Sequence, residues 1–169
     1  MDQDTESKLD FKNKLINFYK FNKVKVYISI IILLITLVIV SFINYQSERN
    51  NKLIAERYVQ AGLFLASNKK DSARDIYEEI ILSKNNFYSI LALNTIIEKD
   101  LISSNEKILG YFKTLEETSL TKENYDLVIF KKALYLIKTS DIENGKNLLQ
   151  ILIDKNSNLK KIAQELIEE

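Results

Sequence analysis

Paired carboxylates are the arrangement in this chain closest to catalytic equipment. Glu78 and Glu79, and again Glu116 and Glu117, stand side by side. General acid–base chemistry needs such groups converging on one bond. On a helix, neighbouring side chains diverge by about 100° per residue, so both pairs read as solvated surface. The chain has no His and no Cys, which removes the imidazole base, the thiolate nucleophile and Cys/His zinc sites. Gly145-Lys146-Asn147 lacks the upstream Gly and the following Ser or Thr of a phosphate-binding loop. Basic residues are dispersed among acids, so no stripe for nucleic acid emerges. No catalytic, cofactor-binding or metal-binding residue is assigned, no cofactor is expected, and the chain is not expected to be an enzyme. Partner-binding residues cannot be named from the sequence.

The elements that carry these residues are set by composition and pattern. The 169 residues allow one modest domain plus an appendage, and the net charge is +1. The first 25 residues hold six Lys and four acids, leaving 18 basic and 19 acidic residues downstream, a nearly neutral remainder. With no Pro and only three Gly, little interrupts a helix.

From Val26 to Ile43 there are 18 residues without a charge, 14 of them Val, Ile, Leu or Phe. Val24–Tyr45 as a helix would reach roughly 33 Å, enough for a hydrocarbon core of about 30 Å. Tyr27 and Tyr45 lie near its two ends, where amphipathic rings favour the interface. A cleaved signal would need a shorter apolar run followed by small residues, but SFINYQSERNN follows. A core helix of a small domain would carry a polar stripe. A retained transmembrane helix is the expectation.

Lys12, Lys14, Lys20, Lys23 and Lys25 precede the span without an acid among them after Asp10. Positive flanks stay cytoplasmic, which puts the N-terminus inside and the rest across the membrane. The expected organisation is a cytoplasmic tail over 1–22, a signal-anchor helix over 23–45 and a helical domain over 46–169. Within the tail, FKNKLINFYKF is read either as an interfacial helix presenting Phe11, Leu15, Phe18 and Tyr19 to lipid, or as a disordered segment.

Beyond the span, apolar residues recur at steps of three and four, and no stretch alternates with period two. The expected faces include Ile54/Tyr58/Ala61/Leu65, Ala73/Ile76/Tyr77/Ile80, Tyr88/Leu91/Ala92/Ile96 and Ile108/Leu109/Phe112/Leu115. Helix 121–139 is apolar on two sides, Tyr125/Ile129/Ala133/Leu136 and Leu127/Phe130/Leu134/Ile137, and belongs in the middle of the packing. Ser103-x-x-Glu106 and Ser140-x-x-Glu143 have capping-box spacing, and Asp71, Thr121 and Ser157 are further N-cap candidates. The result is an all-α domain of about seven helices in antiparallel hairpins.

Two hairpins share a pattern. Ala61 and Ala73 are 12 apart, as are Ala133 and Gly145, and the two pairs are offset by 72 residues. Phe64/Leu136 and Tyr77/Leu149 fill equivalent places. Small residues there let paired helices approach, as in the tetratricopeptide pattern with its period of about 34. The middle copy, Tyr88–Thr118, is degenerate. The usual Trp and closing Pro are absent, with Asn85 and Ser157 near the place of the Pro.

The Lys-flanked anchor running into QSERNNKLIAERYVQAGLFLASNKKDSARDIYEEII, then FYSILALNTIIEKDLISSNEKILGYFKTL and YDLVIFKKALYLIKTSDIENGKNLLQILIDKNSNLKKIAQELI, resembles one bacterial group. Its members are single-pass inner-membrane proteins with a periplasmic tetratricopeptide-like domain, described as ancillary subunits of the Sec translocon. The resemblance covers nearly everything from Lys23 onward and rests on architecture; this chain is poorer in Ala. It implies contact with the translocon and periplasmic chaperones during secretion. The expected function is a membrane-tethered protein–protein interaction module with the domain in the periplasm and no nucleic-acid partner. The alternatives are a self-associating scaffold of the envelope or division machinery, driven by the anchor and the 46–65 helix, and an organelle import receptor of reversed topology.

Overall fold

The computed structural model describes the chain from Gln3 to Glu168, with side chains from Lys20 onward. The described residues are all-helical, with no strand: α1 Gln3–Ala66, α2 Lys70–Leu82, α3 Tyr88–Glu98, α4 Asn105–Glu116, α5 Lys122–Lys138, α6 Ile142–Asp154 and α7 Lys160–Glu168. The chain divides into two compact units, one up to Arg49 and one from Asn50.

The first unit is helical backbone interrupted at Asn22, where φ is −122 and ψ is 18. The tail is therefore helical from Gln3. The lipid-facing assignment of Phe11, Leu15, Phe18 and Tyr19 lies outside the described side chains. Beyond Asn22, α1 is long and apolar enough to cross a membrane, and none of its most apolar window is buried. The large apolar side chains from Ile28 to Ile43 are each 47–68% exposed. A helix serving as a soluble core would instead have its apolar residues covered.

The second unit is built around two apolar clusters. The larger gathers Ala61, Ala73, Tyr77, Ile80, Ile96, Phe112 and Leu115 with others from α1 to α4. The smaller gathers Ile129, Ala133, Leu149, Leu152 and Ala163. Helix α5 serves both, as its double apolar pattern requires, but the division of residues differs from the expected one. Val128 and Tyr135 enter the first cluster, while Ile129, Ala133, Phe130 and Ile137 enter the second. Leu134 is left on the surface at 37%. A 17-residue helix drifts relative to its neighbours, so two straight faces read from sequence do not map onto two partners.

The helices turn without glycine. Asn68, Lys84, Asp100, Ser140 and Asn156 adopt φ of 59, 56, 46, 71 and 50, the left-handed conformation usual just past a helix end. The amides of Lys69, Leu101, Asp141 and Ser157 reach back to the carbonyls of Phe64, Ile96, Leu136 and Leu152 at 2.8, 3.0, 2.9 and 3.0 Å. These are the six-to-one bonds of Schellman ends. Asn68 and Ser140 stand 72 residues apart, as do Lys84 and Asn156. The bonds from Ala73 to Lys69 and from Gly145 to Asp141 repeat at the same offset, both 3.1 Å.

These turns correct several caps. Ser140 closes α5 in the left-handed region, so it cannot open α6; Asp141 takes the N-cap position, without a bond to a backbone amide. Ser104 rather than Ser103 caps α4, accepting from the Lys107 amide at 3.2 Å. Asp71 sits inside the first turn of α2 and holds Arg74. Thr121 does cap α5, accepting from Asn124 at 3.3 Å. Ser157 lies ahead of α7 and accepts from the Leu159 amide at 3.2 Å.

Candidate interaction surface

The paired carboxylates part company on the helices that carry them. Glu78 accepts from Lys107 Nζ at 2.5 Å, and Glu79 pairs with Arg57. Glu116 accepts from Lys132 at 2.7 Å, while Glu117 stands exposed at the end of α4. Three of the four acids thus reach a base on another helix, joining α2 to α4, α1 to α2 and α4 to α5. The hydrogen bond that Lys107 donates to Glu78 raises its ammonium above the ordinary range, while burial lowers that of Lys131 despite the opposing charge of Glu98. Among the described residues, no cluster of three or more His, Cys, Asp or Glu side chains could hold a metal ion.

Buried polar groups fix the packing. Ser157 Oγ donates to Asp126 at 2.6 Å, with both residues 5% exposed. Ser89 donates to the Ile80 carbonyl at 2.7 Å, locking the start of α3 against the end of α2. Tyr58 packs edge-on against Tyr77, with ring centroids 5.4 Å apart, and shares a 3.1 Å hydrogen bond with Thr95. Asp126, Ser89 and Thr95 lie on helix faces that apolar periodicity leaves unmarked, so sequence reasoning passed over them.

Where α3 gives way to α4, a cleft of about 310 Å³ opens toward the end of α5. Ile97, Ile102 and Ile108 form its apolar wall, and Asp100, Asn105 and Lys138 its polar rim. Tyr135, also in the lining, donates to Asn105 Oδ1 at 2.6 Å, and its burial raises the phenol above its ordinary value. An apolar wall with a few fixed polar groups has the make-up of a pocket for a small apolar group. Sequence reading missed this place, because its residues come from three helices and share no spacing. Comparison with known protein families, curated proteins and solved structures finds no match for this chain.

Proposed function

We propose that the chain is a membrane-tethered protein–protein interaction module without catalytic activity, its second unit a tetratricopeptide-like array. The observation that carries this reading is the 72-residue recurrence of turn geometry, Asn68 with Ser140 and Lys84 with Asn156. It coincides with the recurrence of small buried residues at Ala61/Ala73 and Ala133/Gly145. Stacked hairpins of that kind hold extended peptides or partner helices, and the cleft beside Tyr135 supplies a place for one side chain. The unburied apolar span acts as a retained anchor, and tethering raises the concentration of the surface near its partner. The Lys-rich N-terminal flank favours an inside N-terminus and a periplasmic array in the bacterial inner membrane. The partners implied by the family resemblance are the Sec translocon and periplasmic chaperones.

The test is in-cell photocrosslinking from full-length protein carrying a photoreactive residue at Ser103 or Lys138. Adducts with translocon subunits, chaperones or nascent chains support the proposal. A second reading, a self-associating scaffold, is favoured by Leu53, Val59 and Leu63, which are 57–64% exposed on α1. Adducts confined to other copies of the chain would select it.

A further inference from the structure

Three hydrogen bonds gather the start of the second unit and two of its turns at one end of the fold. Asn85 Nδ2 donates to Asn51 Oδ1 at 2.6 Å, tying the α2–α3 turn to the first residues of the unit. Asn124 Nδ2 donates to the Asn86 carbonyl at 3.2 Å, adding the first turn of α5. The Ser157–Asp126 bond adds the α6–α7 turn. This end presents Leu82 and Phe87, each 59% exposed, on either side of the left-handed Lys84. Phe87 is braced rather than loose, its ring edge-on to Tyr88 at 5.1 Å. Between Ile80 and Ile97 the only charge is Lys84. Lys155, on the α6–α7 turn, lies over the Tyr125 ring at 5.6 Å.

We propose that this end is a second membrane contact: Leu82 and Phe87 enter the headgroup region of the bilayer that α1 leaves, and Lys84 pairs with lipid phosphates. The inference rests on the reading of α1 as a retained span. Asn51 follows Tyr45 by six residues, and six residues reach at most about 22 Å, so chain length alone limits how far Asn51 can lie from the end of the span. An exposed aromatic and a Leu flanked by Lys match the chemistry of that layer, where rings settle at headgroup depth and ammonium groups meet phosphate.

The chain has no Cys, so a single introduced thiol reports one place. Full-length protein is reconstituted in phosphatidylglycerol–phosphatidylethanolamine vesicles with a fluorophore at Asn86→Cys, Ser103→Cys or Leu34→Cys, and lipid-borne quenchers are added. Quenching at residues 34 and 86 but not at 103 is the expected result. It should be lost at 86 on adding Leu82→Ser and Phe87→Ser, and reduced by Lys84→Glu, with helix content unchanged by circular dichroism. Quenching at 34 with none at 86 overturns this contact and leaves the anchor intact; no quenching at 34 overturns both. Shielding of residue 86 from aqueous quencher that rises with protein density, without lipid quenching, would assign the surface to a second copy and overturn the proposal.

Discussion

Gly145 of α6 is seated against the main chain of Ala133 in α5: a methyl group at Gly145 would stand 2.9 Å from the Ala133 carbonyl oxygen and 3.2 Å from the Ile137 amide nitrogen. Backbone atoms cannot swing aside as a side-chain tip can, so the two helices would have to separate.

Gly145→Ala should therefore destabilise the fold by about 1–3 kcal/mol, the usual cost of overpacking. Gly110 provides the control, since nothing lies within 4 Å of the place its Cβ would take. It sits mid-helix and exposed, so Gly110→Ala should stabilise by about 0.5–1 kcal/mol. Chemical denaturation of the two variants checks the opposed signs; a loss at both positions would mean that helix separation is not the cause.

Ser140 carries a φ of 71 without the tolerance that Asn has for the left-handed region. Ser140→Gly should raise stability by about 0.5–1 kcal/mol, the relief of backbone strain being partly offset by added freedom in the unfolded chain. Asn68→Gly, at the equivalent turn, should gain less. Melting temperatures of the two variants rank them.

Ser157→Ala removes the donor that Asp126 Oδ2 meets at 2.6 Å in a buried site. A loss of about 1–3 kcal/mol is expected, the penalty for a buried group left without its bond. Removing both partners should cost less than the sum of the single changes. A double-mutant cycle in denaturant measures the coupling, and additive values would show that the two side chains act independently.

Burial holds the Tyr77 phenol above its ordinary value, with Tyr58 adding to the shift. The unfolded chain then releases this proton first, so the stability contribution is intact below about pH 10 and declines above it as the folded group also ionises. Tyr77→Phe should flatten that decline. Tyr111 and Tyr135 are raised in the same direction by burial, so part of it should remain. Denaturation midpoints followed across alkaline pH give the comparison; identical profiles with and without the phenol would refute the assignment.

The sequence revealed the helices more fully than their ends. Ala73, Ile76, Tyr77 and Ile80 are all buried as their spacing requires. In α3 the face is rotated: Ser89, Ile90 and Leu93 are buried with Ala92 and Ile96, while Tyr88 and Leu91 are only half covered. That helix packs against both α2 and α4, and a serine satisfied by the Ile80 carbonyl cannot be recognised as core from its type. The turns were hidden for a related reason. Left-handed ends announce themselves through glycine, and here Asn, Lys, Asp and Ser fill that role. The capping box at Ser140 failed because the residue was already committed to the helix before it. The cleft beside Tyr135 was illegible because it depends on three helix ends meeting, which no local pattern records.

Helix α5 gives Val128 and Tyr135 to one cluster and Ile129 and Ala133 to the other. Its two sides are thus a shared wall, and neither compartment keeps its contents once that wall goes. Heating should open both in a single event, and tension applied through the C-terminal helix would be felt at the aromatic stack around Phe112, whose ring centroid lies 5.9 Å from that of Tyr135.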